Sequence, residues 1–182
     1  MSNILAVFET LDFTSVLWLL PLAFALHEVE EWNITRWEHR HFVGMPPNAT
    51  DRSARAWIVF ISVVAFAWCA VATLPGDATV AAFVFLPAIA FVLMNAFQHV
   101  YWSLRFRQYA PGIVTSIVLL IPIGLYLAIR AVQQGYVPIG YAAVWAVPIV
   151  AGLVQTVRAG DQVTPVVGAV HNVGIWLVER IS

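Results

Sequence analysis

The chain has 182 residues, of which 61% are hydrophobic and 10% charged, and its formal net charge is -1. Soluble domains are about 45–50% apolar and about 25% charged. With a mean hydropathy of +0.82, this is the composition of a membrane protein. The near-zero charge removes the electrostatic case for a nucleic-acid partner. Lysine is absent, so every cationic side chain is an arginine. The single cysteine, Cys69, lies in an apolar run and cannot form an intramolecular disulfide. The first residues carry Glu9 and Asp12 and no early basic residue, which predicts that no signal peptide is cleaved. No repeat, low-complexity tract or long linker divides the chain, so residues 1–182 read as one integral membrane domain.

Crossing the hydrocarbon core takes about 20 apolar residues. Segments 56–74, 79–103, 111–133 and 138–157 meet that length. The first segment does not meet it on apolar residues alone. The uncharged stretch between Asp12 and His27 reaches only about 21 Å as a helix, against the roughly 30 Å required. To span, it must continue through His27 to Trp32, over 13–32, carrying an acidic cluster to the membrane interface. The expected fold is therefore all-α, a polytopic transmembrane bundle of five spans. Pro21, Pro87, Pro122 and Pro148 fall inside these spans, where a kink without chemistry is the plain expectation. The tail, 164–181, is apolar but short and holds His171 and Asn172. It reads as an amphipathic helix on the membrane surface, with a sixth span as the alternative.

The arginines test the topology. Arg36, Arg40, Arg52 and Arg55 precede the second span, Arg105 and Arg107 follow the third, and Arg158 and Arg180 lie in the tail. Only Arg130 falls on the other side. The positive-inside rule then predicts an outside N-terminus and a cytoplasmic C-terminus, in a prokaryotic-type inner or plasma membrane.

That orientation collects polar residues at one depth. His27, Glu28, Glu30 and Glu31 end the first span, Asn95, Gln98 and His99 end the third, and "YAPG" (Tyr109 to Gly112), Thr115 and Ser116 begin the fourth. His27 and Glu31 are four apart, with Glu30 three from His27, and Asn95 and His99 are also four apart, so each set shares a helix face. Glu28 is expected to point toward the interface instead. An ionised carboxylate at membrane depth costs roughly 2.5–3.5 kcal/mol. Protonation, pairing with Arg36, Arg105 or Arg107, or a bound cation would relieve it. Two histidines and a carboxylate are the ligand set of catalytic zinc and non-haem iron.

"HEVEE", then "NAFQH", then "YAPG" resemble, in that order, the HXXEE domain family of integral membrane proteins. The likeness covers roughly residues 15–130, and it implies a site at His27, Glu30, Glu31, His99, Tyr109, Pro111 and Gly112 without implying a reaction.

The leading expectation is a hydrolase or oxidoreductase that uses a divalent metal, zinc or iron, on a lipophilic small molecule entering from the surrounding lipids. By chemical analogy with the HxxEH arrangement of inverted zinc peptidases, His27, Glu31 and His99 hold the ion and Glu30 is the general base on water. Glu30 and Asn95 are further candidate ligands, and Tyr109 is a candidate catalytic group. Two alternatives need no metal catalysis. A protonated glutamate could serve as the acid of an isoprenoid isomerase or cyclase, or the cluster could bind or carry an ion. Thr115 and Ser116 are expected to be packing hydroxyls, and His39 and His41 to face solvent or headgroups. His171 would approach the site only if the tail folds back.

Overall fold

The computed structural model describes residues 10–181. It is an all-helical bundle of seven helices: α1 (Phe13–Glu30), α2 (Ile34–His41), α3 (Asp51–Thr73), α4 (Ala78–Phe106), α5 (Ile113–Gln133), α6 (Ile139–Ala159) and α7 (Pro165–Ile181). Of these, α1, α3, α4, α5 and α6 are long and apolar enough to cross a membrane. The sequence expectation of five spans stands, with ends displaced by a few residues.

Local chemistry sets the boundaries. The Asp12 side chain accepts the Ser15 N–H and opens α1. Thr50 and Ser53 cap each other's backbone at the start of α3, and Asp77 accepts the Val80 N–H at the start of α4. Two spans are irregular. α1 breaks between Leu17 and Leu19, where Pro21 denies the Leu17 carbonyl its helical donor. α5 contains a π turn at Ser116–Leu120 immediately before Pro122. Such turns often sit at functional positions. Pro87 and Pro148 lie within unbroken helices.

The apolar core is built mainly on α1, α4 and α5, from residues such as Leu17, Leu20, Phe85, Leu93, Leu120 and Leu127. Half of α1 and of α4 is buried, against 6% of α6. α6 presents Val147, Val150 and Val157 outward, as a helix solvated by lipid should. Gly124 of α5 seats against Leu93 and Gly152 of α6 against Met94, the small-residue contact that membrane helix packing favours.

A second apolar cluster lies at the arginine-rich end, where Trp37 and Phe42 meet Trp102 of α4. It holds α2, a short amphipathic helix between the first two spans. Val43 is tied to the α6–α7 connection by backbone bonds to Asp161 (2.8 Å) and Val163 (3.0 Å). At the opposite end, Arg130 is buried, bonds the Tyr126 hydroxyl and Gln134, and donates to the Leu11 carbonyl.

The tail helix α7 packs along α3. At Gly174 an added Cβ would stand 2.4 Å from the Ser53 carbonyl oxygen, so the two backbones approach too closely for any side chain. Gly174→Ala should force α7 away from α3 at a cost of about 1–3 kcal/mol. A lowered thermal midpoint of the detergent-solubilised protein checks this, and an unchanged midpoint would refute the close docking.

Candidate metal centre

α1 ends because its last turn is turned inward on itself. Glu31 caps the helix, and its N–H bonds the His27 carbonyl. This leaves the Glu31 side chain against His27 one turn back. His27 Nε2 lies 3.0 Å from Glu31 Oε1, and His99 Nε2 of α4 lies 2.6 Å from the same oxygen. The rings of His27 and His99 meet edge to face with centroids 4.9 Å apart. All three residues are buried, and their ligand atoms lie within 4.8 Å of one another, a group that can hold a metal ion.

Hydrogen bonding fixes the state of His27. Its Nδ1 is 2.9 Å from the Thr115 hydroxyl, and that hydroxyl donates its only proton to Glu30 Oε2 at 2.6 Å. Thr115 can therefore only accept from His27, which places the proton of a neutral ring on Nδ1. Nε2 then presents a lone pair to a carboxylate oxygen at contact distance. Such an arrangement repels unless a positive charge, a proton or a metal ion, lies on that side.

Glu30 faces elsewhere. Its carboxylate takes Tyr109 Oη–H (2.6 Å), Val114 N–H (3.1 Å), Thr115 N–H (2.8 Å) and the Thr115 hydroxyl. It thus caps the first turn of α5, where the free N–H groups and the helix dipole favour an anion. The Tyr109 side chain is largely exposed and bonded to Glu30. Burial, then the neighbouring carboxylate, push its pKa up to about 12, so the hydroxyl stays a donor.

Helical geometry explains the division among the glutamates. At about 100° per residue, Glu31 lies about 40° from His27, while Glu30 and Glu28 lie about 60° and 100° away on opposite flanks. Glu28, expected at the interface, is buried. It faces a cavity of about 80 Å³ together with Glu31, His99, Asn95, Glu38 and His171. Asn95 Oδ1 has no hydrogen-bond partner there among the described residues.

The outer histidines separate. His39 bonds the Ala49 carbonyl and His41 the Trp37 carbonyl and Gln108, so neither joins the centre. His171 does approach, since α7 folds back and sets its Nε2 3.0 Å from Glu38 Oε2. Glu38 was missed from sequence, although Ile34, Trp37, Glu38 and His41 form an i, i+3, i+4, i+7 stripe that puts this carboxylate on the apolar face of α2.

Gly112 closes the centre from the α5 side. Its φ is +91°, and an added Cβ would lie 2.7 Å from His27 Cε1, 2.8 Å from Glu31 Oε1 and 2.9 Å from His99 Nδ1. Gly135 has a comparable φ of +74° with nothing within 4 Å of an added Cβ. Both alanine variants bear the left-handed backbone penalty, about 1–2 kcal/mol. Gly112→Ala should lose about 1–3 kcal/mol more through overpacking. Thermal melts of the two variants side by side measure the difference, and equal midpoints would show that Gly112 does not press on the ligands.

A family model described as a protein of unknown function with HXXEE motif matches residues 18–127. No curated protein and no solved structure matches the chain. The match contains the His27–Glu31 turn, His99 and the Tyr109–Thr115 cap, and it stops short of α7 and His171. With more than half of the chain covered by that model, the chain belongs to the HXXEE family.

Proposed function

We propose that this protein is a divalent-metal-dependent membrane enzyme acting on a lipophilic substrate, with His27, Glu31 and His99 as the metal ligands. The observation that carries the reading is the convergence of His27 Nε2 and His99 Nε2 on Glu31 Oε1 at 3.0 and 2.6 Å, in a buried group whose ligand atoms lie within 4.8 Å of one another. The oxygen and nitrogen donors suit zinc or iron, and three protein ligands leave a position for substrate or water. A zinc ion there would polarise a carbonyl or a water molecule, and iron would support oxidation.

The remaining residues position these ligands. Glu30 and Thr115 fix the His27 tautomer and ring plane, as an outer carboxylate does in many metal sites. Tyr109 holds Glu30. Asn95 remains a candidate contact to the ion or the substrate through its unpartnered Oδ1.

An apolar groove favours a lipophilic substrate. It has a volume of about 230 Å³, is lined by Trp68, Pro87 and Val92 among others, and shares Phe24, Ile61 and Phe91 with the polar cavity. A hydrocarbon chain in the groove would bring a polar head to the ligands from within the bilayer. The arginine distribution orients this end of the bundle toward the cytoplasm.

Elemental analysis of the purified, folded protein tests the reading. Wild type should carry at least one equivalent of zinc or iron, and His27→Ala and His99→Ala should lose it. Thr115→Val should keep the fold and bind about 10–100-fold more weakly. Folded wild type that takes up no metal would overturn the proposal in favour of metal-free acid catalysis.

A further inference from the structure

The cavity beside the centre is itself built from ligand groups. Its lining includes Glu31 and His99 of the first group, and also Glu28, Glu38 and His171. These last three come from α1, α2 and α7, and each is more than nine-tenths buried. Glu38 Oε2 and His171 Nε2 stand 3.0 Å apart. Glu28 Oε2, His171 Nδ1 and Asn95 Oδ1 have no hydrogen-bond partner among the described residues.

The lining is rich in acceptors and poor in donors. The Gln98 amide is committed to Thr156 Oγ1 at 2.7 Å. No arginine lines the cavity among the described residues. Arg36 pairs with Asp51, Arg55 bonds Trp32 and Asn33, and Arg105 and Arg107 are exposed. Of the remedies for buried carboxylates, arginine pairing is therefore not used here. The space is ample for an ion with its water, since one water needs only about 10–15 Å³ of probe-occupied volume.

We propose that Glu38 and His171, with Glu28 drawn in from α1, hold a second divalent cation in this cavity beside the His27–Glu31–His99 group, which makes the centre dinuclear. The inference extends the single-ion reading above, and the two fail separately. Counted over the first group and the cavity lining together, the donors are three histidines, three carboxylates and the Asn95 amide. That is close to the four carboxylates and two histidines of dimetal helix bundles. Hard carboxylate oxygens with imidazole suit zinc, iron or manganese. Glu31 and His99 belong to the first group and also line the cavity, so they are the residues through which one ion would sense the other.

The test is Zn²⁺ loading of the detergent-purified full chain, followed by gel filtration and elemental analysis of the monodisperse peak. Wild type should hold two equivalents, and Glu38→Gln and His171→Ala should each hold one. The two substitutions lie on different helices, so misfolding of one variant leaves the other to decide. One equivalent in wild type, kept by Glu38→Gln and His171→Ala and lost in His99→Ala, would overturn the second site and leave the first. One equivalent kept by His99→Ala and lost in Glu38→Gln would support this site and remove the other. No binding by folded wild type would overturn both.

Discussion

Two imidazole nitrogens converge on one carboxylate oxygen at Glu31, where burial weakens the screening of charge. Much of the surrounding structure follows from holding those three groups together. α1 must hold its helical turn through Glu31 so that this residue, four after His27, stands beside it. α4 must deliver His99 to the same depth, and Trp102 packs on His99 with ring centroids 5.1 Å apart. The chain entering α5 must pass so close that only glycine fits at residue 112. In a low-dielectric setting an arrangement of this kind persists only if its charges are matched. The site is therefore a place where the bundle's packing and its electrostatics have a single solution.

The flanking glutamates show two outcomes of the same burial problem. Glu30 has four donors on its two oxygens, so its charge is stabilised and its geometry fixed. Glu28 keeps an oxygen without a partner, inside a cavity. Satisfied polar groups rigidify a structure, whereas unsatisfied ones invite a ligand. The HXXEE motif thus sets a fully hydrogen-bonded acid, Glu30, beside one that meets two imidazoles, Glu31. Glu28 sits at a motif position where the family name prescribes no residue.

The fold was largely legible because hydropathy alone marks four spans and the length shortfall of the first forces it through the acidic cluster. The four-residue spacings gave His27 with Glu31, and topology gave His99. Three things were not legible. The break at Trp18 and the π turn at Ser116 depend on how prolines are accommodated by neighbouring helices. Helical phase separated Glu28 from Glu30 but not which of them faces the cavity, because the two lie about 80° from the midpoint between His27 and Glu31 on opposite flanks. The Glu38–His171 pair depends on docking between helices more than a hundred positions apart, which no local pattern encodes. The stripe on α2 carried half of that signal.

The order of the helices along the chain has a bearing on how the cavity comes into being. His27, Glu31, His99, Gly112 and Thr115 are all in place once α5 has formed. Glu38 waits longer, since its partner His171 lies on α7, the last helix. Until α7 lies against α3, the Glu38 wall of the cavity stands open on the side that His171 later closes. The bundle can thus assemble with one half of its polar interior finished and the other still accessible, and the docking of a single short helix adds the last side of the cavity.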